Sequence, residues 1–274
     1  MTIVSTQAGT QILAQFLDGQ VKRLVENVSV ISQSGKPRVT RLYAIYSAII
    51  EDAISIRLLC ENARTNQAYI VSRALLERLT NFCFLQLCTD AEFSDYVAYS
   101  INKAGRSLDR STVADGHVKA RIALNGGEFE LPPEISAAIA KFTSERGREK
   151  TRWTNVSLPD RAAVIEAKLG NTGLFMSLLT IYADASEALH GTLYGAAFHL
   201  GAYEALPPHN QASLDQHRHQ TLSALYLMAG GSIDTLFKLL ASLGESPFEP
   251  VARASKNAFK EAAIATGLAV AKEK

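Results

Sequence analysis

The sequence predicts an all-α fold, a multi-helix bundle. Three observations carry that prediction. Apolar residues recur at three- and four-residue spacing through several long segments. Apolar–polar alternation never persists for more than a few residues. Glycine and proline fall between the periodic segments, where helices must stop. The composition agrees, with 47% hydrophobic and 20% charged residues in a chain of 274. Such a chain folds around a full core and is not disordered. The formal net charge of +1 excludes a global basic field for nucleic acid. It leaves room for a local basic groove, and nothing signals DNA.

Taken in order, residues 7–33 place Ile12, Leu13, Phe16, Leu17, Val21, Leu24, Val25 and Val28 on one helical face, closed by Gly35 and Pro37. A second helix is expected over 38–61, apolar on a wide arc and therefore central. A third covers about 67–87 and carries Arg73-Ala-Leu-Leu-Glu77. Thr89-Asp90 caps a fourth, over 91–108. The pattern weakens over 109–133, where Gly116, Gly126, Gly127, Pro132 and Pro133 suggest a short helix at 118–124 followed by a loop. Further helices are expected over 133–146, 159–169 and 173–189, the last extending toward 198. Pro207-Pro208 breaks the chain before a long helix over 211–243, interrupted near Gly230-Gly231. The organisation expected is one all-helical domain over 1–250 and a helical tail over 251–274.

Cys60, Cys83 and Cys88 lie in apolar helical context without metal-ligand spacing, so they read as reduced, buried thiols. No metal and no cofactor is expected. The first residues lack the basic and apolar regions of a leader. No apolar run approaches the roughly 20 residues that span a bilayer, the longest being broken by Arg, Glu or Asp; the expectation is therefore a soluble, cytoplasmic protein with no membrane partner.

The polar groups inside the apolar helices are the candidates for chemistry. Tyr182, Ser186 and His190 recur at i, i+4 and i+8, which puts a phenol, a hydroxyl and an imidazole in one row. Imidazoles exchange protons near neutral pH, so His190 is a candidate acid or base. Arg73 offers a planar fork for phosphate or carboxylate, and a buried Arg needs a partner. Glu77, one turn on, is the nearest. Two readings follow. In one, Arg73, Glu77 and His190 share a cleft and act on a substrate. In the other, they are a structural polar network in a module that binds a small ligand or a partner protein. The other histidines carry less. His217 and His219 point to different helix faces, and a site at Asp215 and His219 would need ligands from elsewhere.

The set Arg73-x-Leu-Leu-Glu77, then Trp153 with Ser157 and Arg161, then Tyr182-x-x-x-Ser186-x-x-x-His190-Gly191 resembles the all-helical domain of unknown function 5677, over about residues 40–200. Its bundle is similar to the HEPN superfamily, which includes metal-independent ribonucleases of toxin–antitoxin and phage-defence systems. That resemblance implies a HEPN-like core with extra N- and C-terminal helices. It also implies RNA or a nucleotide as ligand, with Arg73, Glu77 and His190 catalytic and Arg161, Trp153, Tyr182 and Ser186 binding substrate. The chain departs from those nucleases in one respect. Their Arg and His share one short motif, whereas Arg73 and His190 lie on different helices. The wide apolar arcs of the second and third helices imply a homo-oligomer.

Overall fold

The computed structural model describes residues 6–124, 130–244 and 247–268. The loop expected at Gly126-Gly127, the first residues read for a leader and the end of the tail lie outside them. Among the described residues the architecture is all-α apart from one hairpin, and the chain forms two compact units: Met1–Leu87 with Leu158–Lys274, and Cys88–Ser157.

The first unit is built on α1 (Gln7–Glu26), α4 (Tyr43–Glu61), α5 (Thr65–Leu87) and α12 (Gln211–Ser242). Thr6 caps α1, its hydroxyl accepting from the Gly9 amide at 3.2 Å. The α1 stripe of Leu13, Phe16, Leu17 and Leu24 is buried, packing largely on α12. Each such side chain contributes about 1.5–3 kcal/mol when fully buried. The expected helix over 7–33 breaks at Asn27, where α2 (Val28–Ser32) begins. The next breaks at Leu42, leaving a short α3 (Pro37–Arg41) before α4. Arg78 on α5 pairs with Asp52 on α4.

The interruption expected at Gly230-Gly231 is absent, and α12 runs unbroken through both glycines. Gly230 is used for close packing: a Cβ there would lie 2.4 Å from the Phe16 ring. Helix α12 is also long and apolar enough to cross a membrane by length and composition, with a mean hydropathy of 1.3 in its most apolar window. This corrects the reading that no such run exists. Of that window, 78% is buried inside the fold, as in a core helix.

The helical tail expected over 251–274 includes a helix that packs on this unit. Helix α13 (Phe248–Ala265) lies on α1 and α12. A buried polar network ties the three together. Gln20 donates to the Ser255 hydroxyl at 2.8 Å, Ser255 donates to Asp234, and Lys238 neutralises Asp234 at 2.7 Å. Every member is satisfied, which a buried network requires.

In the second unit, α6 (Asp90–Ser107) starts at a capping box formed by Thr89 and Glu92. It packs on α7 (Pro133–Lys141), which ends earlier than the 146 expected. The short helix expected at 118–124 is a strand. β1 (Asp109–Ala114) and β2 (His117–Ala123) form an antiparallel hairpin. Asp115 and Gly116 take φ of 53° and 74°, the left-handed pair a two-residue hairpin turn needs. Val118, Ala120 and Ile122 alternate with Lys119 and Arg121, a period-2 signal too brief to register in the sequence.

Candidate functional site

Helix α5 carries a row of polar side chains one turn apart: Tyr69, Arg73, Glu77 and Asn81. Opposite it, the expected helix over 173–189 is composite. Gly173, at φ 77°, precedes α9 (Leu174–Ser177). A single π-helical turn (Leu178–Tyr182) follows, and then α10 (Ala183–Leu189). The wider turn changes the phase of the helix just before Tyr182, and such turns often accompany specialised sites.

Arg73 is the centre of a closed network. Its Nε donates to Glu77 Oε1 at 3.2 Å, its Nη1 to the Ser186 hydroxyl at 2.8 Å, and its Nη2 to the Tyr182 hydroxyl at 3.2 Å. Tyr182 in turn donates to Glu77 Oε1 at 2.7 Å. Ser186 donates to the Tyr182 carbonyl at 2.9 Å. The guanidinium carbon lies 4.6 Å from the centre of the Tyr182 ring. Each guanidinium nitrogen thus has one partner in the chain, which uses three of its five N–H donors. The Arg73 side chain is 20% exposed and that of Glu77 40%. Burial, and then the hydrogen bond to Glu77, raise the Tyr182 phenol above its usual range; Arg73 opposes the shift. The hydroxyl therefore stays protonated and keeps donating.

The structure brings Arg73, Glu77, Tyr182 and Ser186 together. Glu77 is the partner of Arg73 that the spacing offered, and Tyr182 and Ser186, which the sequence placed only in a row with His190, are further partners of Arg73. His190 caps the C-terminus of α10, and Gly191 at φ 67° ends the helix there. The imidazole is exposed and makes no hydrogen bond or ion pair among the described residues. Arg161, on α8 (Leu158–Leu169), donates to Asn81 and so meets the far end of the same α5 row. Trp153 falls in the second unit, edge-on to Tyr96 with ring centroids 5.2 Å apart. Among the described residues no group of His, Cys, Asp or Glu could hold a metal ion. The three cysteines are free and buried.

Sequence reasoning missed a second feature of the first unit. A cavity of about 1020 Å³ opens between α12, the α9–α10 segment and the chain around Pro207-Pro208. Leu13, Leu227 and Met228 supply apolar wall, and Tyr69, Asp184, Glu204 and His217 supply polar groups. Tyr69 is the first residue of the α5 row, one turn before Arg73, and Asp184 sits between Tyr182 and Ser186 on the opposing segment. Cavity and network are therefore carried by the same two elements. One signal was available: a tyrosine at i−4 from Arg73 extends the polar row on an otherwise buried helix.

No curated protein matches the chain, and no solved structure does. A family model does match, over residues 41–204, a span that contains Arg73, Glu77, Trp153, Arg161, Tyr182, Ser186 and His190. The chain belongs to the family of unknown function DUF5677.

Proposed function

We propose that the protein is a helical module that binds a small ligand, with the Arg73 network as the structural clasp that fixes α10 against α5. The observation that carries this reading is how Arg73 is engaged. Three of its five N–H donors serve Glu77, Ser186 and Tyr182, and its guanidinium lies over the Tyr182 ring, so it ties α10 to α5. The adjoining cavity has the volume and the mixed lining of a small-molecule site.

The test is a ligand-observed NMR screen with a fragment set of mixed charge, run on wild type and on Ala224→Phe. Ala224 lines the cavity, and the larger side chain projects into it and obstructs it. Saturable hits that vanish in the folded variant support the reading. A screen without hits, or hits indifferent to Ala224→Phe, sinks it.

A second reading, a HEPN-like metal-independent ribonuclease acting in phage defence, is favoured by one observation: His190 is exposed and unpartnered at the end of the Tyr182–Ser186 row. In it, His190 would take the 2′-hydroxyl proton while Arg73, released from its partners and oriented by Glu77, steadied the phosphate. Cleavage of total RNA by wild type but not by His190→Ala would favour it over the ligand module. The cytoplasmic location and self-association inferred from the sequence belong with either reading.

A further inference from the structure

We infer that the cavity binds a cationic amine carried on an apolar body. The inference rests on the ligand-binding reading and names its ligand class. The first argument is charge. Asp184 and Glu204 both line the cavity, and none of its lining residues is Lys or Arg. An anion would meet two carboxylates and no compensating cation, whereas an ammonium gains from both.

The second argument is Tyr69. The residue is only 6% exposed, yet its hydroxyl makes no hydrogen bond among the described residues. The hydroxyl is not sealed in the core, and Tyr69 lines the cavity, so a partner for it can be supplied there. Its ring is held edge-on by Phe198, with centroids 4.7 Å apart, so it cannot swing away to solvent. Burial, and after it Asp184, push its phenol up, so it stays protonated and available. Asp184 is itself steadied by the Tyr194 hydroxyl at 2.9 Å, which leaves its other oxygen for a ligand.

The third argument is the apolar wall. Leu13 from α1 and Leu227 and Met228 from α12 offer a body-binding surface that a small hydrated ion would not use. A hydrophobic amine satisfies every part of the lining. Its ammonium meets Asp184 and Glu204, and its body covers the leucines. The Tyr69 oxygen, which accepts from no other group among the described residues, would accept from an N–H of the ligand.

Three probes that share one ring system and differ in charge test the inference on the full chain: tryptamine, N-acetyltryptamine and indole-3-propionate, each titrated by calorimetry. The expected result is saturable binding of tryptamine, at least about tenfold tighter than either other probe. The preference should disappear in Asp184→Asn/Glu204→Gln. Tyr69→Phe should weaken tryptamine binding without lowering the melting temperature, because it deletes an unpaired hydroxyl; a purely structural tyrosine would not behave so. Equal or tighter binding of the neutral or anionic probe overturns the amine class and leaves the ligand module standing. A tryptamine preference that survives the double variant overturns the assignment to these carboxylates. If none of the three binds, the amine class falls, while the mixed-charge fragment screen separately decides the module itself.

Discussion

Replacing Arg73 by alanine gives the sharpest test of the clasp. The change removes three hydrogen bonds from a charged donor, at 3.2, 2.8 and 3.2 Å, and the cation over the Tyr182 ring. Hydrogen bonds to charged groups contribute about 1.5–3 kcal/mol each, but the three are not additive here. Glu77 is 40% exposed and recovers water, and Ser186 keeps its bond to the Tyr182 carbonyl. The side chain that loses most is Tyr182, whose hydroxyl keeps only Glu77. The net expectation is a destabilisation of about 2–3 kcal/mol, below the 3–5 kcal/mol of a fully buried broken pair. At about 2–4 °C per kcal/mol for a chain of this size, the melting temperature falls by about 4–12 °C. Urea denaturation followed by far-ultraviolet circular dichroism measures it. A cycle with Ser186→Ala should show a coupling of about 1 kcal/mol between the two residues. A folded Arg73→Ala protein within about 0.5 kcal/mol of wild type would refute the clasp.

Three further expectations follow from the same geometry. Gly195→Ala sets a Cβ 2.1 Å from the Glu187 carbonyl carbon, where backbone must move, so it should cost about 1–3 kcal/mol in thermal unfolding; an unchanged midpoint would show that α11 (Leu193–Ala197) does not pack on α10 as described. Burial, and after it His217, lower the His199 imidazole below its usual 6.5. The unfolded chain then binds that proton first as pH falls, so stability should decline below about pH 6.5 and level off below the folded value. His199→Gln should flatten that part of the stability–pH curve, and an unaltered curve would count against the assignment. Burial, and then Glu61, push the Cys60 thiol up to about 12, so native protein should resist iodoacetamide at Cys60 while urea-unfolded protein is labelled; rapid native labelling would contradict the burial.

Much of the fold was legible in the sequence because helical periodicity is local. Helices α4, α5, α6 and α8 lie close to the ranges expected, 38–61, 67–87, 91–108 and 159–169. The hairpin was not legible, because its period-2 segment spans few residues and the Asp115-Gly116 turn was taken as loop punctuation. Glycine misled at Gly230-Gly231, since a helix break and a close helix contact use the same residue. At the site, the i, i+4 spacing exposed both polar rows but not how they face each other. That depends on the π-helical turn ahead of Tyr182, which no local propensity announces. The cavity was hidden for a different reason: Leu13, Tyr69, Asp184, Glu204 and His217 are far apart in sequence and meet only through tertiary packing.

The division of the chain has a consequence for its birth on the ribosome. The first unit is assembled from two segments, with residues 88–157 emerging between them. The Arg78–Asp52 pair can form as soon as α5 is out. The stripe of α1 cannot, because Phe16 waits for Gly230, and Gln20 waits for Ser255, 235 residues later. At about 5–20 residues per second, the part of the α1 face that α12 and α13 cover stays unburied for tens of seconds or less after α1 emerges. A nascent chain arrested before α12 should therefore recruit holding chaperones through α1, and should release them only when α12 and α13 arrive.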